Sequence, residues 1–360
     1  MCQSAGPFLD PVDLGKLRTY PLGSRENLVH LCDFARLTEP GESAADFLDS
    51  LPNILAAKDL RRLARHIAEA HRRGALVALA MGAHVIKCGL SPVVTDLIDR
   101  GIVGLVAMNG AGAIHDYEVA RLGATSEDVA RSLPEGRFGL ADETARAHRQ
   151  ASELAQAKAI GLGQAFGQLI EEEGLPHRKA SILATAWRRK VPATVHVALG
   201  TDIVHMHPAF AAGPVAEASH RDFRILCAAM ARLAGGVWLN VGSAVMLPEV
   251  FLKAVNVAHN LGHNLEGMVA ANLDMIPQYR AQTNVVGRPV TEGITLLGRH
   301  EFLLPLVRLA VLVELARARP SRCKTPKASE ASRVPASPMR ARSRKGSPGG
   351  AKTREAGGGG

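Results

Sequence analysis

The sequence of 360 residues lacks the marks of several common classes of protein. Its five cysteines lie far apart, at positions 2, 32, 88, 227 and 323, with no Cys-x-x-Cys pair. This spacing argues against a disulfide framework and a cysteine zinc site, and it predicts a reducing, cytoplasmic environment. No apolar run reaches the roughly 18 residues that a membrane helix needs. Residues 1–16 lack the basic and apolar regions of a secretory signal, so we expect no membrane contact.

The motifs of the common hydrolase classes are missing as well. The chain has no Gly-x-Ser-x-Gly elbow, no Walker loop, no His-Glu-x-x-His pair and no cysteine-nucleophile motif. These absences weigh against serine hydrolases, P-loop nucleotidases and zinc proteases.

The net charge of +9 is concentrated at one end of the sequence. Residues 321–360 hold ten Lys and Arg against two Asp and Glu, and they contain no aromatic residue. Such a segment buries too little apolar surface to offset its ordering entropy, so we predict a disordered basic tail over 320–360. Weak, salt-dependent contact with RNA, DNA or another polyanion is an alternative role for it. We expect residues 1–20 to form a lead-in, which leaves 21–319 as one large domain.

The middle of the chain alternates helical patterns with short apolar runs, which predicts an α/β fold with a mostly parallel sheet. The predicted strands cover 75–82, 102–108, 193–199, 236–241 and 267–273. The predicted helices include 57–73, 217–234, 248–261, 302–318 and a long stretch over 143–173, for which a break near Gly161 and Gly163 is the alternative.

Four segments follow predicted strands, where the ligand-binding loops of parallel sheets lie: 81–89, 108–116, 199–208 and 240–250. In the second, Gly110 and Gly112 would let a ligand approach the backbone, but His115 stands where a dinucleotide fingerprint has its third glycine. In the fourth, Gly242 and Ser243 precede a helix and could cradle phosphate or ribose. An ordinary turn explains both patterns equally well.

The third of these segments contains Asp202, His205 and His207. The two histidines alternate on an extended segment, so both imidazoles would share a face, as in a metal site. No ligand cluster at a metal-binding spacing accompanies them, and packing or hydrogen bonding is the favoured interpretation. We therefore predict no metal, and a metal-dependent hydrolase stays as a third hypothesis.

The segments MGAHVIKCGL, LVAMNGAGAIHD, VALGTD, GGVWLNVGSAV and NVVGRPVTEG…LLPLV, in this order, resemble the landmarks of the deoxyhypusine synthase family. The resemblance covers roughly residues 20–318. It implies a Rossmann-like, doubly wound sheet and a homotetramer with NAD held near subunit interfaces. It also implies the family's reaction, in which NAD oxidises spermidine, diaminopropane is cleaved off and the aminobutyl group moves to an acceptor amine.

The resemblance places NAD contacts on Ala83, His84, Val85, Ile86, Lys87, Asn109, Gly110, Ala111, Gly112, His115, Asp116 and Asp202. Glycine-flanked backbone amides suit a pyrophosphate, and a carboxylate such as Asp202 accepts hydrogen bonds from ribose hydroxyls. Gly242 and Ser243 complete the predicted cofactor site.

Two departures from the family alter the expected chemistry. The family carries its imine on a lysine of a Trp-Gly-Lys segment, whereas the stretch after Arg288 and Pro289 reads VTEGITLLGRH and contains no lysine. The family's Lys-His-His run is replaced here by residues 247–249, Leu-Pro-Glu, which removes its histidine base. The imine-forming amine and the base are therefore missing from their expected places.

The remaining candidates for catalysis are Lys87, Asp202 and Glu249. A desolvated Lys87 could form an imine, although pairing with phosphate or simple exposure is the favoured interpretation, and exposure is expected for Lys253. The two carboxylates would recognise a cationic polyamine or act as base. The sequence thus predicts an NAD-dependent transferase of alkyl or aminobutyl groups that acts on a spermidine-like amine with altered chemistry. The alternative is a non-catalytic nucleotide-binding or regulatory protein of the same fold.

Overall fold

The structure, a computed structural model, describes residues 11–317. Its centre is a sheet of six parallel strands in the order β3-β2-β1-β4-β5-β6. The strands are β1 (Val77–Met81), β2 (Leu105–Asn109), β3 (Ala193–His196), β4 (Val237–Val241), β5 (Val269–Asp274) and β6 (Glu292–Leu297). The order reverses between β1 and β4, as in doubly wound dinucleotide-binding folds.

Helices cover both faces of the sheet. They are α1 (Ala44–Ser50), α2 (Leu55–Arg73), α3 (His84–Lys87), α4 (Ser91–Asp99), α5 (Gly110–Leu122), α6 (Val129–Ser132), α7 (Asp142–Lys158), α8 (Leu162–Glu172), α9 (Ile182–Arg189), α10 (Ala212–Met230), α11 (Met246–Asn260), α12 (Tyr279–Ala281) and α13 (His300–Ala316). A π-helical segment, Gln282–Gly287, follows α12 directly. Short 3-10 turns occupy Leu14–Lys16, Leu22–Ser24, Leu31–Asp33, Arg178–Ala180 and Ile203–Met206.

Two hydrophobic cores lie on opposite faces of the sheet because successive strand residues point to opposite sides. In β1, Val77, Leu79 and Met81 pack into one core, while Ala78 and Ala80 pack into the other. Helices α2, α4, α5, α8, α9 and α13 contribute to the first core, and α11 with the second half of α10 contributes to the second. Every residue of β1 is buried, as expected for a parallel sheet covered on both faces.

The predicted fold class is confirmed: one domain, α/β, with a doubly wound parallel sheet. All five predicted strands are present within a few residues, and β6 was missed. β6 is an edge strand whose first two residues, Glu292 and Gly293, are only partly buried, so it has no continuous apolar run. The predicted helical stretch over 143–173 is two helices, which confirms the alternative of a break near Gly161: Ala159 adopts a left-handed conformation after α7, and Gly161 directly precedes α8.

The start of the described chain makes little contact with the domain. Residues 11–32 form hydrogen bonds that span at most three residues, and Leu48 is the first buried hydrophobic residue among those described. Residues 1–10 of the predicted lead-in and the whole predicted tail over 320–360 lie outside the described residues. Within 11–317 no helix combines the length and apolarity needed to cross a bilayer.

Candidate functional site

The reversal of strand order brings the ends of β1 and β4 together at the carboxyl edge of the sheet. The Gly82 N–H donates to the Val241 carbonyl at 2.9 Å, which extends the ladder by one residue. A Cβ atom on Gly82 would lie 2.1 Å from the carbonyl oxygen of Gly242, so only glycine permits this approach. Gly242 itself has a φ of +62°, in the left-handed region that favours glycine. Two of the four predicted ligand loops therefore meet at the switch point.

A pair of histidines, His84 and His300, lies beside this switch point. The sequence predicted His84 for the site but not His300. His300, 1% exposed at the start of α13, stands edge-on to His84 with their ring centroids 5.8 Å apart. Its Nε2 is 3.3 Å from the Leu273 carbonyl, and its Nδ1 has no hydrogen-bond partner within the described chain. His300 follows β6. Because β6 was not predicted from the sequence, His300 was not predicted to lie at the carboxyl edge.

The start of α5 is occupied by two side chains of the protein itself. Asn109 Oδ1 accepts from the Gly112 N–H at 3.1 Å, and the Asp202 carboxylate lies close to the Ala111 N–H. A Cβ atom on Gly110 would lie 2.0 Å from Asp202 Oδ2, so this glycine makes room for the carboxylate. Gly110 thus admits Asp202, and the Gly112 amide that a pyrophosphate would use at this turn already has an acceptor.

Asp202 forms a buried pair with His205. Their side chains are 5% and 7% exposed, and His205 Nε2 lies 3.7 Å from Asp202 Oδ2. His205 Nδ1 accepts from the N–H groups of Gly200 and Asp202, each at 3.0 Å, so the neutral ring carries its proton on Nε2. Burial raises the pKa of Asp202, although His205 and the Ala111 N–H act to lower it.

A cavity of about 720 Å³ opens beside this pair, at the carboxyl ends of β1 to β3. Four residues predicted for the site line it: Lys87, Ala111, His115 and Asp202. Its ionisable lining also includes Glu118, Arg121, Glu127, Arg137 and Glu143. A second cavity of about 700 Å³, next to Trp187, lies at the amino end of β3 and is far from the four predicted loops.

Glu118, Thr125 and His115 form a hydrogen-bonded chain on the wall of this cavity. The Thr125 hydroxyl donates to Glu118 Oε2, and His115 Nδ1 lies 2.6 Å from Thr125 Oγ1. Glu118 Oε1 accepts from the Thr144 hydroxyl at 3.1 Å. Burial acts to raise the pKa of Glu118, but the nearby His115 ring and the hydrogen bonds from Thr125 and Thr144 outweigh burial and hold this pKa below its usual value. Glu118 was missed because it follows no strand and matches no motif.

Three residues predicted to contact the cofactor have structural roles instead. Asp116 has no exposed surface, and its carboxylate accepts from the Ser181 hydroxyl and from the N–H groups of Ile182 and Leu183 at 2.7 and 3.1 Å. It caps the start of α9, and burial raises its pKa to about 6. The side chains of Val85 and Ile86 belong to the hydrophobic core. We withdraw these three side chains from the candidate site.

Glu249, a predicted base, is already committed to three partners. It forms ion pairs with Lys253 and Arg280, the latter at 2.6 Å, and accepts from Asn284 Nδ2 at 2.8 Å. The Lys253 hydrogen bond, followed by that of Arg280, lowers the pKa of Glu249. A carboxylate neutralised in this way is a weak base, and it does not line the cavity of Asp202. We therefore remove Glu249 from the catalytic candidates.

The structure shows where the chain runs after Pro289 and where the two candidate lysines, Lys253 and Lys87, lie. Only Val290 and Thr291 separate Pro289 from the first residue of β6, so the chain enters the sheet where the family has its lysine segment. Lys253 is paired with Glu249 on α11. Lys87 is exposed at the end of α3 and lines the cavity, which makes it the lysine nearest to Asp202 among the candidates.

The hypothesis of a metal-dependent hydrolase finds no ligand set in residues 11–317. No three His, Cys, Asp or Glu side chains of this range come together in a way that could hold a metal ion. His207 Nε2 lies 3.2 Å from Asp142 Oδ1, and both His205 and His207 use Nδ1 to accept backbone N–H groups.

Comparisons with known proteins show likeness in fold alone. No protein-family model matches the chain, and no curated protein is significantly similar to it in sequence. A LOR/SDH protein of Methanococcus maripaludis S2 is 12% identical, with 80% of this chain and 74% of that chain covered and a TM-score of 0.49. AgrE in complex with ornithine and NAD+ is also 12% identical at a TM-score of 0.49, over 72% of this chain but only 34% of AgrE. A protein described as a deoxyhypusine synthase from Entamoeba histolytica is 11% identical, over 76% of this chain and 94% of its own, with a TM-score of 0.46.

Proposed function

We propose that the chain binds NAD at the switch point between β1 and β4 and oxidises a small primary amine related to spermidine. The observation that carries the proposal is the strand order, because doubly wound sheets bind ligands outside the carboxyl ends of their strands where the order reverses. The cavity of Asp202 and His115 opens at this same edge and has room for a second, smaller ligand.

The residues at the switch point fit a dinucleotide. Gly82 and Gly242 bring the ends of β1 and β4 together without a Cβ, and the partly exposed Gly242 offers its backbone to a phosphate or ribose there. The unpartnered Nδ1 of the buried His300 is an acceptor for a hydroxyl or carboxamide N–H. His84 is exposed beside it, so these two rings would contact the cofactor.

The cavity fits a cationic amine. Glu118 is partly buried with its pKa held below its usual value, and Asp202, Glu127 and Glu143 add further carboxyl groups to the lining. These four carboxyl groups outnumber the three cations of the lining, Lys87, Arg121 and Arg137. An ammonium group held between carboxylates gains charge-assisted hydrogen bonds, which are about twice as strong as neutral ones. The cavity also has apolar lining from residues such as Ile114 and Phe138, which suits the methylene chain of a polyamine.

NAD+, when bound, would serve as the acceptor of a hydride from the carbon that bears the amine. The protein itself must remove one proton from the ammonium group and orient the amine for hydride transfer to the cofactor. Loss of a proton and then of a hydride converts R-CH2-NH3+ into the iminium R-CH=NH2+, which balances charge and atoms. Without a lysine at the family's position, this iminium would not be transferred to the protein through the family's route.

Two binding measurements test the proposal on the full chain purified without added ligand. Equilibrium dialysis should show NAD+ binding, and His84→Ala should weaken it about tenfold, the effect of one lost hydrogen bond at a binding site. His259→Ala is the matched control, because His259 is exposed in the last turn of α11, away from the switch point. Spermidine added to the NAD+ complex should then produce NADH absorbance. Unaltered NAD+ affinity in His84→Ala would contradict the proposed binding place.

The missing lysine segment and the ion-paired Glu249 favour a second candidate, the non-catalytic binding protein of the same fold. It predicts NAD+ binding that is sensitive to His84→Ala and no NADH with spermidine or with other primary amines. The absorbance measurement therefore separates the two candidates.

We also propose that the chain forms a homo-oligomer. The resemblance to the deoxyhypusine synthase family implies a tetramer. The support is a row of apolar side chains that are at least half exposed: Val12, Leu14, Leu17, Tyr20, Leu22, Leu28, Val29, Leu31, Phe34 and Leu37. A monomer rarely exposes an apolar patch of more than a few hundred Å². Light scattering should give the mass of a tetramer, and Leu28→Glu together with Leu31→Glu should reduce it. A monomeric wild type would contradict this proposal.

A further inference from the structure

We infer that His115 is a general base whose Nε2 takes the proton from an ammonium group bound in the cavity, and that Thr125 and Glu118 position it. The inference deepens the proposed function by assigning its proton-accepting step. It rests on the direction of the hydrogen bonds in the chain Glu118–Thr125–His115.

The direction follows from the number of protons available. An ionised carboxylate only accepts hydrogen bonds, and a threonine hydroxyl has one proton to donate. Thr125 donates that proton to Glu118, so its oxygen must accept from His115 Nδ1, 2.6 Å away. The neutral imidazole therefore carries its proton on Nδ1, which leaves the lone pair of Nε2 free to act as a base.

The surroundings of His115 favour a base in contact with a cation. The ring lines the cavity and its side chain is 15% exposed, so a ligand can reach it. The charged groups that face it are Glu118 on the same helix, Asp202 from the segment after β3 and Lys87 from α3. The carboxylates stabilise the imidazolium that forms after proton transfer, as the oriented acid does in other carboxylate–histidine pairs.

Thr125 is well suited to a test because the structure offers a matched control. Thr125→Val removes the hydroxyl that links His115 to Glu118 while keeping a similar shape. Thr144→Val removes the other hydroxyl bound to Glu118, which has no hydrogen bond with His115. Thr125→Ser restores the link and should behave as the wild type.

The direct measurement is the tautomer of His115, by two-bond nitrogen–proton NMR of the full chain labelled at histidine. Disappearance of its signals in His115→Gln assigns them. The wild type and Thr144→Val should show Nδ1–H in about tenfold excess, the ratio that one hydrogen bond near the upper end of the usual range maintains. Thr125→Val should lose most of that excess. An Nε2–H tautomer in the wild type, or no change in Thr125→Val, would overturn the inference.

The catalytic consequence is measured with spermidine and NAD+. Thr125→Val should lower kcat for NADH formation about tenfold at unchanged KM. Thr125→Ser should restore kcat. An equal fall in kcat for Thr125→Val and Thr144→Val would indicate a merely structural role and overturn the base assignment. Absence of NADH in the wild type with the Nδ1–H tautomer intact would contradict the proposed amine oxidation and leave the geometry of the chain established.

Discussion

The two halves of the carboxyl edge are built from different polar groups. Beside β1 to β3, ionisable side chains face a cavity, and several of their atoms are available to a ligand: His115, Glu118, Asp202 and Lys87. Beside β4 to β6, the buried polar groups include the bonded amides of Asn240 and Asn272, together with Ser243, Asp274 and His300. Asn240 Nδ2 donates to Asn272 Oδ1 at 2.8 Å and to the Ser243 carbonyl at 2.9 Å.

This difference shows where proton chemistry can take place. Amides do not act as acids or bases near neutral pH, and the carboxylate of Glu249 in the second half is neutralised by two cations. The buried His300 of the second half has a free Nδ1 but no carboxylate bonded to its ring. The first half has an imidazole with a free ring nitrogen that is linked through Thr125 to the carboxylate of Glu118. The resemblance to deoxyhypusine synthase points to the second half, where the family has its lysine and histidine. In this chain the imidazole at this edge that is linked to a carboxylate lies in the first half.

The largest expected effect comes from a buried carboxylate that bonds to β3, the outermost strand on the side of the first half. Asp222 on α10 accepts from the N–H groups of Gly163 and Val195 at 2.9 and 2.8 Å, and burial raises its pKa to about 7. The native state therefore binds an extra proton between about pH 4 and 7, and the free energy of unfolding should fall by on the order of 4 kcal/mol as pH rises through this range.

Urea unfolding at several pH values measures this effect of Asp222. The slope of unfolding free energy against pH should be smaller in Asp222→Asn, which cannot ionise. Equal slopes in the variant and the wild type would show that Asp222 does not titrate in this range.

The amide network of the second half should give the next largest effect. Asn240→Leu leaves the Ser243 carbonyl and Asn272 Oδ1 buried without a donor, which should lower the free energy of unfolding by about 3 kcal/mol. The double variant Asn240→Leu with Asn272→Leu removes one of these unsatisfied groups and should recover part of the loss. If the double variant loses as much free energy of unfolding as the two single variants added together, the two amides are not coupled.

A pair of carboxylate variants compares the halves directly. Asp202→Asn should weaken spermidine binding about tenfold, because it removes a charge from the cavity lining. Glu249→Gln should change it less than about twofold, because that charge is committed to Lys253 and Arg280. Calorimetric titration in the presence of NAD+ measures both. The reverse ranking would move the amine site to the second half of the edge.

The smallest expected effect concerns Lys87. Lys87 is exposed and lacks the apolar surroundings that activate an imine-forming lysine. We therefore expect it to form no imine with an amine-derived aldehyde or iminium. Borohydride reduction in the presence of NAD+ and spermidine should attach no mass to the wild type or to Lys87→Arg, and NAD+ affinity should change less than about threefold. Trapping in the wild type that disappears in Lys87→Arg would restore covalent catalysis.

The order of strands and helices was largely determined by the sequence itself. Five strands and the helices between them follow from apolar periodicity and glycine boundaries, because burial on both faces requires continuous apolar runs. The placing of ligand loops followed as well, since parallel strands bring their carboxyl ends to one edge. β6 was not predicted because an edge strand does not need a continuous apolar run.

Only the tertiary structure decided which polar residues are free to react. Asp116 and Glu249 have ordinary acidic side chains in predicted loops or beside them, yet one caps α9 from 65 residues away and the other is neutralised by Lys253 and Arg280. Conversely, His115 gains a defined tautomer from Thr125, which lies in the loop after α5 and carries no motif. Local periodicity reports burial, whereas the donor and acceptor that each side chain meets depend on how distant segments pack. Proton chemistry depends on those meetings, so the site was decided at the level of the fold.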